Sequence, residues 1–280
     1  LSEKLNHEGM HVIGVAAKRK NAGDTAVFHA EDEIDMTFLG IIAFLDPPKP
    51  DAKEAIHGLY DAGVQVKVIS GDAPVVVEHV CKLVGMKVGE QNAVTGSDLE
   101  KMSEEELSRV VEKNDIFARL SPMQKQRVVV ALRKNGHVVG YMGDGVNDAP
   151  SLHDADVGIS VDNATDVAKA SADIILLEKS LTVILNGIYE GRRIYGNILK
   201  YMKMALSGNF GNVFSVLIAS IFLPFLPILP LQILIQNLIY DFTQIAIPWD
   251  NVDEGFIKLP KKWDASSIGK FMIWIGPTSS

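Results

Sequence analysis

The chain has 280 residues, a formal net charge of −8 and a single cysteine. The acidic balance argues against nucleic-acid binding, which requires a basic surface, and one cysteine cannot form an internal disulfide. Hydrophobic residues make up 47% of a chain that is 22% charged, so apolar residues must be concentrated in part of it. The length allows about two domains.

The first 45 residues contain two short apolar runs, at 11–16 and 37–44, that predict strands. Because this segment is too short to bury a core of its own, we interpret residues 1–45 as the tail of another domain. An edge hairpin of the following domain is the alternative. Asp46-Pro-Pro-Lys49 comes next, and its prolines restrict the backbone to an extended path, which predicts a stiff hinge over 46–49.

Helix and strand patterns alternate over residues 50–190. The predicted helices cover 50–62, 73–84 and 122–135, and each is followed by a glycine. Ser103, followed by three glutamates, predicts a further helix start. The predicted strands are 64–70, 115–118, 138–142, 155–160 and 172–177. Such alternation predicts an α/β domain, with a parallel sheet flanked by helices.

A loop rich in glycine and aspartate follows the apolar strand at 138–142. It reads Gly143-Asp144-Gly145-Val146-Asn147-Asp148. The glycines allow a tight turn and a close approach to a ligand. Open α/β sheets bind ligands at the carboxyl ends of their strands, and carboxylate and phosphate oxygens form the usual shell of Mg²⁺. Asp144 and Asp148 are therefore predicted to hold a catalytic magnesium ion.

Two further segments predict phosphate binding. The strand at 64–70 ends in Ser70-Gly71-Asp72, where a hydroxyl and backbone N–H groups can bind phosphate oxygens. Lys125 lies in the first turns of the helix predicted at 122–135. A lysine there can neutralise a transferring phosphoryl group.

Residues 204–240 contain no charged side chain, and prolines divide this part of the chain. Two membrane spans are predicted, at about 204–223 and 231–247, with a third beginning near 268. The basic residues lie outside the pair, which places both outer ends in the cytoplasm: Arg192, Arg193, Lys200, Lys203, Lys258, Lys261 and Lys262. The core hairpin of a soluble protein is the alternative.

The two predicted spans also carry polar side chains. Asn209 and Asn212 are three residues apart, and Asn237 and Asp241 are four apart, so each pair shares a helix face. Polar groups inside a membrane are costly and indicate an ion path, although amides also hold helices together. One carboxylate with amides, and neither thiol nor imidazole, makes a hard oxygen site that suits Mg²⁺ better than copper or zinc.

These motifs, in this order, resemble the P-type cation-transporting ATPases. Three strings in the predicted spans resemble the bacterial magnesium-transporting members: Asn209–Ser215, Leu234–Asn237 and Ile247–Asp250. The resemblance implies that 1–45 is the tail of the nucleotide-binding domain, 50–190 a haloacid-dehalogenase-like phosphorylation domain, and 191–280 a helical transmembrane region. It further implies ATP and Mg²⁺ as cofactors, a transported divalent cation, and a multi-pass location in the inner membrane with a cytoplasmic phosphorylation domain.

The resemblance also implies roles for individual residues, in a mechanism that passes through an aspartyl-phosphate. Asp144 ligates Mg²⁺, while Asn147 and Asp148 hold the loop and a phosphate oxygen. Lys125 and Ser70 neutralise and orient the phosphoryl group, and Asp72 and Arg119 face the nucleotide. The remaining phosphate-binding positions are the glycines Gly71, Gly143 and Gly145, and the transported cation is assigned to Asn209, Asn212, Asn237 and Asp241.

The sequence departs from the family in several ways. The Asp-Lys-Thr-Gly-Thr motif of the phosphorylated aspartate is absent. We therefore expect the nucleophile in a missing N-terminal portion of the same pump, and no turnover by this chain alone. Ser70 stands where the family usually has threonine, and Lys49 where arginine is more common. Three alternatives stay open: a pump for calcium or protons, a soluble phosphatase of the haloacid-dehalogenase type, and a catalytically inactive ion-binding membrane protein.

Overall fold

The computed structural model of the chain describes residues 4–5, 9–19, 33–45, 47–86, 93–178 and 180–278. Asp46, the first residue of the predicted hinge, lies outside these ranges. The chain forms two compact units: Leu1–His57 with Gln65–Val183, and Gly58–Val64 with Ile184–Ser280. The domain limits predicted from the sequence remain predictions.

The first unit opens with an antiparallel pair of strands, β1 (Met10–Ala17) and β2 (Thr37–Leu45). Met10 pairs with Leu45 and Ala17 with Thr37, with a bulge between Val15 and Ala16. Both strands agree with the apolar runs of the sequence. Among the described strands, these two form a sheet of their own.

The rest of the first unit alternates strands and helices as the sequence predicts. Its strands are β3 (Val68–Ile69), β4 (Val94–Thr95), β5 (Ile116–Ala118), β6 (Gly140–Met142), β7 (Val157–Val161) and β8 (Ile174–Leu176). Its helices are the first part of α1 (Ala52–Asp61), α2 (Pro74–Leu83), α3 (Gly96–Lys101), α4 (Glu104–Lys113), α5 (Pro122–Lys134), α6 (Ala149–Asp154) and α7 (Asp166–Ala170).

All six of these strands run parallel to their neighbours, but they form two sheets instead of the single sheet predicted. The orders are β3-β5-β4 and β6-β7-β8. β3 is also shorter than the predicted strand 64–70. The side chains of Gln65 and Lys67 bind the Asp115 carboxylate, at 2.9 Å each, and ladder pairing with β5 begins only at Val68.

A hydrophobic core lies between β5 and the helices α3, α4 and α5. Its buried members are Leu99, Leu107, Val111, Phe117, Leu120, Val128, Ala131 and Leu132. A capping box of Ser103 and Glu106 begins α4, and one of Ser121 and Gln124 begins α5. Because each box satisfies backbone N–H groups that lack an intrahelical partner, these helix starts are well defined. The predicted start of α4 at Ser103 is thereby confirmed.

The second unit is helical. It contains most of α8 (Thr182–Phe222), followed by α9 (Pro230–Gln244), α10 (Glu254–Lys258) and α11 (Ala265–Ile275). Backbone carbonyls of the segment after α9 accept hydrogen bonds from the first half of α8. The Asn197 amide donates to Pro248 O and Asp250 O, and the Lys200 ammonium pairs with the Asp250 carboxylate at 2.7 Å.

Within the described residues, α8 alone is long and apolar enough to cross a membrane. The predicted span 204–223 lies almost entirely inside this 41-residue helix. The predicted span 231–247 is not helical throughout, because α9 has 15 residues and a 3₁₀ turn follows at Ile247–Trp249. A single helix needs about 20 residues to span the hydrocarbon core, so the second span is not confirmed and the membrane region stays a proposal.

Candidate functional site

The loop after β6 is held against the neighbouring strand β7. The Gly143 N–H donates to Ile159 O at 3.1 Å, and the Ser160 hydroxyl donates to Gly143 O at 2.9 Å. One residue further, Asp144 O accepts from the Thr165 N–H at 3.1 Å. These hydrogen bonds involve backbone atoms of Gly143 and Asp144 and leave the Asp144 side chain free. The loop is therefore fixed while the Asp144 carboxylate stays available at the carboxyl end of β6.

The same loop folds back on itself at Asp148, and this requires a glycine at 143. A Cβ placed on Gly143 would lie 2.5 Å from Asp148 Cβ, well inside contact distance. The Asp148 N–H donates to Gly145 O at 3.1 Å, and the Gly145 N–H donates to Asp148 Oδ2 at 3.3 Å. The tight turn predicted for this loop therefore depends on the absence of a side chain at Gly143.

Lys125 and Asp148 form the central ion pair of the site. Lys125 Nζ lies 2.7 Å from Asp148 Oδ1, and both side chains are 13% exposed. The Tyr141 hydroxyl donates to the same carboxylate oxygen at 2.9 Å. Burial opposes ionisation of Asp148, but the hydrogen bonds from Lys125 and Tyr141 outweigh it and hold the pKa of Asp148 below its ordinary value. Two of the predicted catalytic residues are thus brought together.

Asp144 and Asn147 have exposed side chains. In the part of the chain that the structure describes, the Asp144 carboxylate has no hydrogen-bond or ion-pair partner, and no group of three His, Cys, Asp or Glu side chains could hold a metal by itself. A free carboxylate beside Asp148 fits Mg²⁺, which takes oxygen ligands and completes its shell with phosphate oxygens and water. Asp144 fits this role better than Asp148, whose two oxygens already accept hydrogen bonds.

The Ser70 loop is built by reciprocal hydrogen bonds. The Ser70 hydroxyl donates to Asp72 Oδ2 at 2.9 Å and accepts from the Asp72 N–H at 3.1 Å. Ser70 O and Asp72 O accept from the N–H groups of Leu120 and Arg119, at 3.0 and 2.9 Å. Arg119 therefore lies beside Asp72. Its backbone is left-handed, at φ +53°, which is a costly conformation for a residue other than glycine.

Helix α5 connects the two loops. Its first residues follow Arg119 and Leu120, which contact the Ser70 loop, and its Lys125 side chain reaches Asp148. No hydrogen bond between described residues joins the Ser70 loop directly to the Asp144 loop. The predicted phosphate-binding residues thus flank the amino end of one helix, whose dipole favours an anion.

The four residues predicted to bind the transported cation are arranged differently. Asn212 Oδ1 accepts from Gln236 Nε2 at 3.1 Å, which joins α8 to α9. Asn237 is half-buried, whereas Asn209 and Asp241 are exposed. Gln236 was not among the predicted ligands, and its polar character inside the apolar run was the available signal. The assignment of a cation site to this set remains a prediction.

Tyr141 is the other residue that the sequence prediction missed. It lies inside the apolar run at 138–142, where its hydroxyl gave no sign of a polar role. Strand alternation supplies the signal, because successive side chains point to opposite faces. Tyr141 is 7% exposed, whereas its neighbours Gly140 and Met142 are exposed.

Comparison with known proteins matches residues 7–156 to a family model described as haloacid dehalogenase-like hydrolase. The whole chain is 53% identical to the magnesium-transporting ATPase, P-type 1, of Salmonella typhimurium and 52% identical to that of Escherichia coli K12, and it covers 31% of each. A calcium-transporting ATPase of Bacillus subtilis is 37% identical over 85% of the chain and 27% of its own length. The predicted resemblance to bacterial magnesium-transporting P-type ATPases is confirmed. The chain spans about a third of the length of these relatives.

Proposed function

Because the chain belongs to the haloacid dehalogenase-like hydrolases, we propose that it is part of an ATP-driven P-type pump that transports Mg²⁺. The observation that carries this proposal is the loop at 143–148, with its free carboxylate at Asp144 and the ion pair between Asp148 and Lys125. The two magnesium-transporting relatives are more similar to the chain than the calcium-transporting one. That difference favours Mg²⁺ as the transported ion.

The proposed reaction begins at an aspartate elsewhere in the longer protein. Its carboxylate attacks the γ-phosphorus of ATP, ADP leaves, and water later cleaves the aspartyl-phosphate. Lys125 supplies positive charge to the phosphoryl oxygens, and the Ser70 loop orients them. Asp72 and Arg119 are exposed, and in this proposal they face the nucleotide. A catalytic Mg²⁺, held by Asp144 with help from Asp148, would neutralise phosphate charge when bound.

The two sheets support a nucleophile supplied by another segment. β3 and β6 each pair with one neighbour, so each has a free ladder edge among the described strands. The loops that follow them are the ones that carry Ser70 and Asp144. A further parallel strand at such an edge would bring its own carboxyl end to the same side as these loops.

Transport by the full-length protein tests this proposal. Purified protein reconstituted into liposomes should move Mg²⁺ across the bilayer when ATP is added, and an Asp144→Ala variant should not. Ca²⁺ should be transported more slowly at equal concentration. If the protein transported Ca²⁺ but not Mg²⁺ when ATP is added, the calcium-pump alternative would be favoured. Phosphatase activity without transport of either ion would contradict the proposal.

A further inference from the structure

Tyr141 shares one carboxylate oxygen with the central lysine of the site. Its hydroxyl donates to Asp148 Oδ1 at 2.9 Å, and Lys125 Nζ donates to that same atom at 2.7 Å. The other oxygen, Oδ2, accepts only the longer 3.3 Å bond from the Gly145 N–H among the described residues. Tyr141 therefore contributes one of the two short hydrogen bonds that fix the Asp148 side chain.

The surroundings of Tyr141 keep its hydroxyl available as a donor. The ring is buried in β6, and burial together with the charge of Asp148 raises the pKa of Tyr141 above its ordinary value. The tyrosine therefore keeps its proton and donates a hydrogen bond to the Asp148 carboxylate.

We propose that Tyr141 is a positioning residue for phosphoryl transfer. Its hydroxyl holds the Asp148 carboxylate in place, so that Lys125 can direct its remaining N–H groups at the phosphoryl oxygens. The inference rests on the proposed function. An ammonium group has three N–H donors, and Lys125 donates one of them to Asp148. If Asp148 had no second short hydrogen bond, its carboxylate could rotate, and the lysine would follow it. The phenol therefore fixes the direction of the ammonium through a shared oxygen.

Tyr141→Phe tests this inference, because it keeps the ring and removes only the hydroxyl. In the full-length protein we expect the maximal rate of phosphoenzyme formation from ATP to fall about tenfold, which corresponds to about 1.4 kcal/mol, the size of a hydrogen bond to a charged group. The ATP concentration for half-maximal rate should not change, since Tyr141 is buried and acts only through Asp148. Tyr201→Phe, which removes an equally small group from an exposed tyrosine of α8, is the matched control.

A double-mutant cycle with Lys125→Ala separates positioning from packing. If Tyr141 acts through Asp148 on Lys125, then Tyr141→Phe should have almost no further effect in a Lys125→Ala background. The thermal unfolding midpoint of Tyr141→Phe should stay close to that of the wild type.

The outcomes separate a failure of the proposed function from a failure of the positioning role. A wild-type protein that forms no phosphoenzyme would overturn the proposed function and this inference with it. A wild-type protein that does form it, together with Tyr141→Phe at the wild-type rate, would overturn the inference alone. The positioning role would also be overturned if the Tyr141 and Lys125 effects were additive, or if the loss were confined to ATP affinity.

Discussion

At the scale of single residues, the site depends on charge that is almost removed from solvent. Lys125 and Asp148 are each 13% exposed, so their interaction is screened less than that of a surface pair. Removing one partner leaves the other charge buried without compensation. Because an exposed residue leaves no such buried charge when it is removed, we expect mutation of Lys125 to reduce activity more than mutation of the exposed residues around it.

Lys125→Ala should reduce phosphoenzyme formation by the full-length protein by about 10²-fold or more, because a fixed positive charge at a transferring phosphoryl group contributes on that order. Rapid mixing with radiolabelled ATP and acid quenching measures the rate. Lys134→Ala changes an exposed lysine of the same helix and should leave the rate unchanged. Equal rates in wild type and Lys125→Ala would show that Lys125 is a structural residue.

Gly143→Ala should disturb the loop itself. The added methyl group would lie 2.5 Å from Asp148 Cβ, so Asp148 must move away from Lys125 and phosphoenzyme formation should fall at least as far as in Lys125→Ala. Gly140→Ala is the control, because the nearest atom to its added Cβ is 3.9 Å away. Similar activities for the two alanine variants would mean that the loop adjusts without cost.

Candidate residues for a phosphoryl site could be chosen from the sequence, because turns with glycine and aspartate after apolar strands have a characteristic composition. The structure brings Lys125 to Asp148 and Arg119 to Asp72, and the roles of these residues remain predictions. Tyr141 could not be found in the same way. Its role depends on which face of β6 it occupies and on how far the next loop folds back, and composition carries neither piece of information.

At the scale of secondary structure, helices were easier to predict than strands. Capping residues and terminal glycines mark helix ends locally, and α5 ends one residue before the predicted limit. Strand limits depend on pairing with distant segments, so the predicted strand 64–70 is reduced to β3 where only β5 is available to it. Helix α9 ends before the predicted limit of the second span at 247, although the apolar composition continues into the 3₁₀ turn that follows.

The pair formed by α8 and α9 provides the test of the predicted cation site. Asp241 is the only charged residue between Lys203 and Asp250. In the full-length pump, Asp241→Asn should raise the Mg²⁺ concentration needed for half-maximal transport or abolish uptake, because it removes the one carboxylate that can bind a divalent ion there. Membrane insertion should be unaffected.

Two further sets of variants complete that test. Asn209→Ala and Asn237→Ala should shift the same Mg²⁺ curve in the same direction by less, since a neutral amide contributes less than a carboxylate. Asp253→Asn removes an exposed carboxylate outside the predicted spans and should leave the curve in place. An unchanged curve in Asp241→Asn at normal expression would mean that the polar residues hold α8 and α9 together, as the Asn212–Gln236 bond does.

At the scale of the whole molecule, the proposed functions belong to different units: phosphoryl transfer to the first unit and cation binding to the helical second unit. The first contains a lysine fixed by Asp148, the free carboxylate of Asp144 and the exposed residues Asp72 and Arg119. Among the described strands, however, none pairs with the free edge of β3 or of β6, so none places an attacking carboxylate beside the loops that follow them. The central claim is therefore that this site acts on an aspartyl-phosphate formed on another segment of the longer protein.

The most direct measurement is the trapping of an acid-stable phosphoenzyme from radiolabelled ATP and Mg²⁺. The full-length protein should become labelled on an aspartate outside this chain, and Asp144→Ala should abolish the label. The 280-residue chain alone should remain unlabelled and release no phosphate above its own Asp144→Ala control. Steady phosphate release by the isolated chain, or a full-length protein that never becomes labelled, would contradict the proposed mechanism.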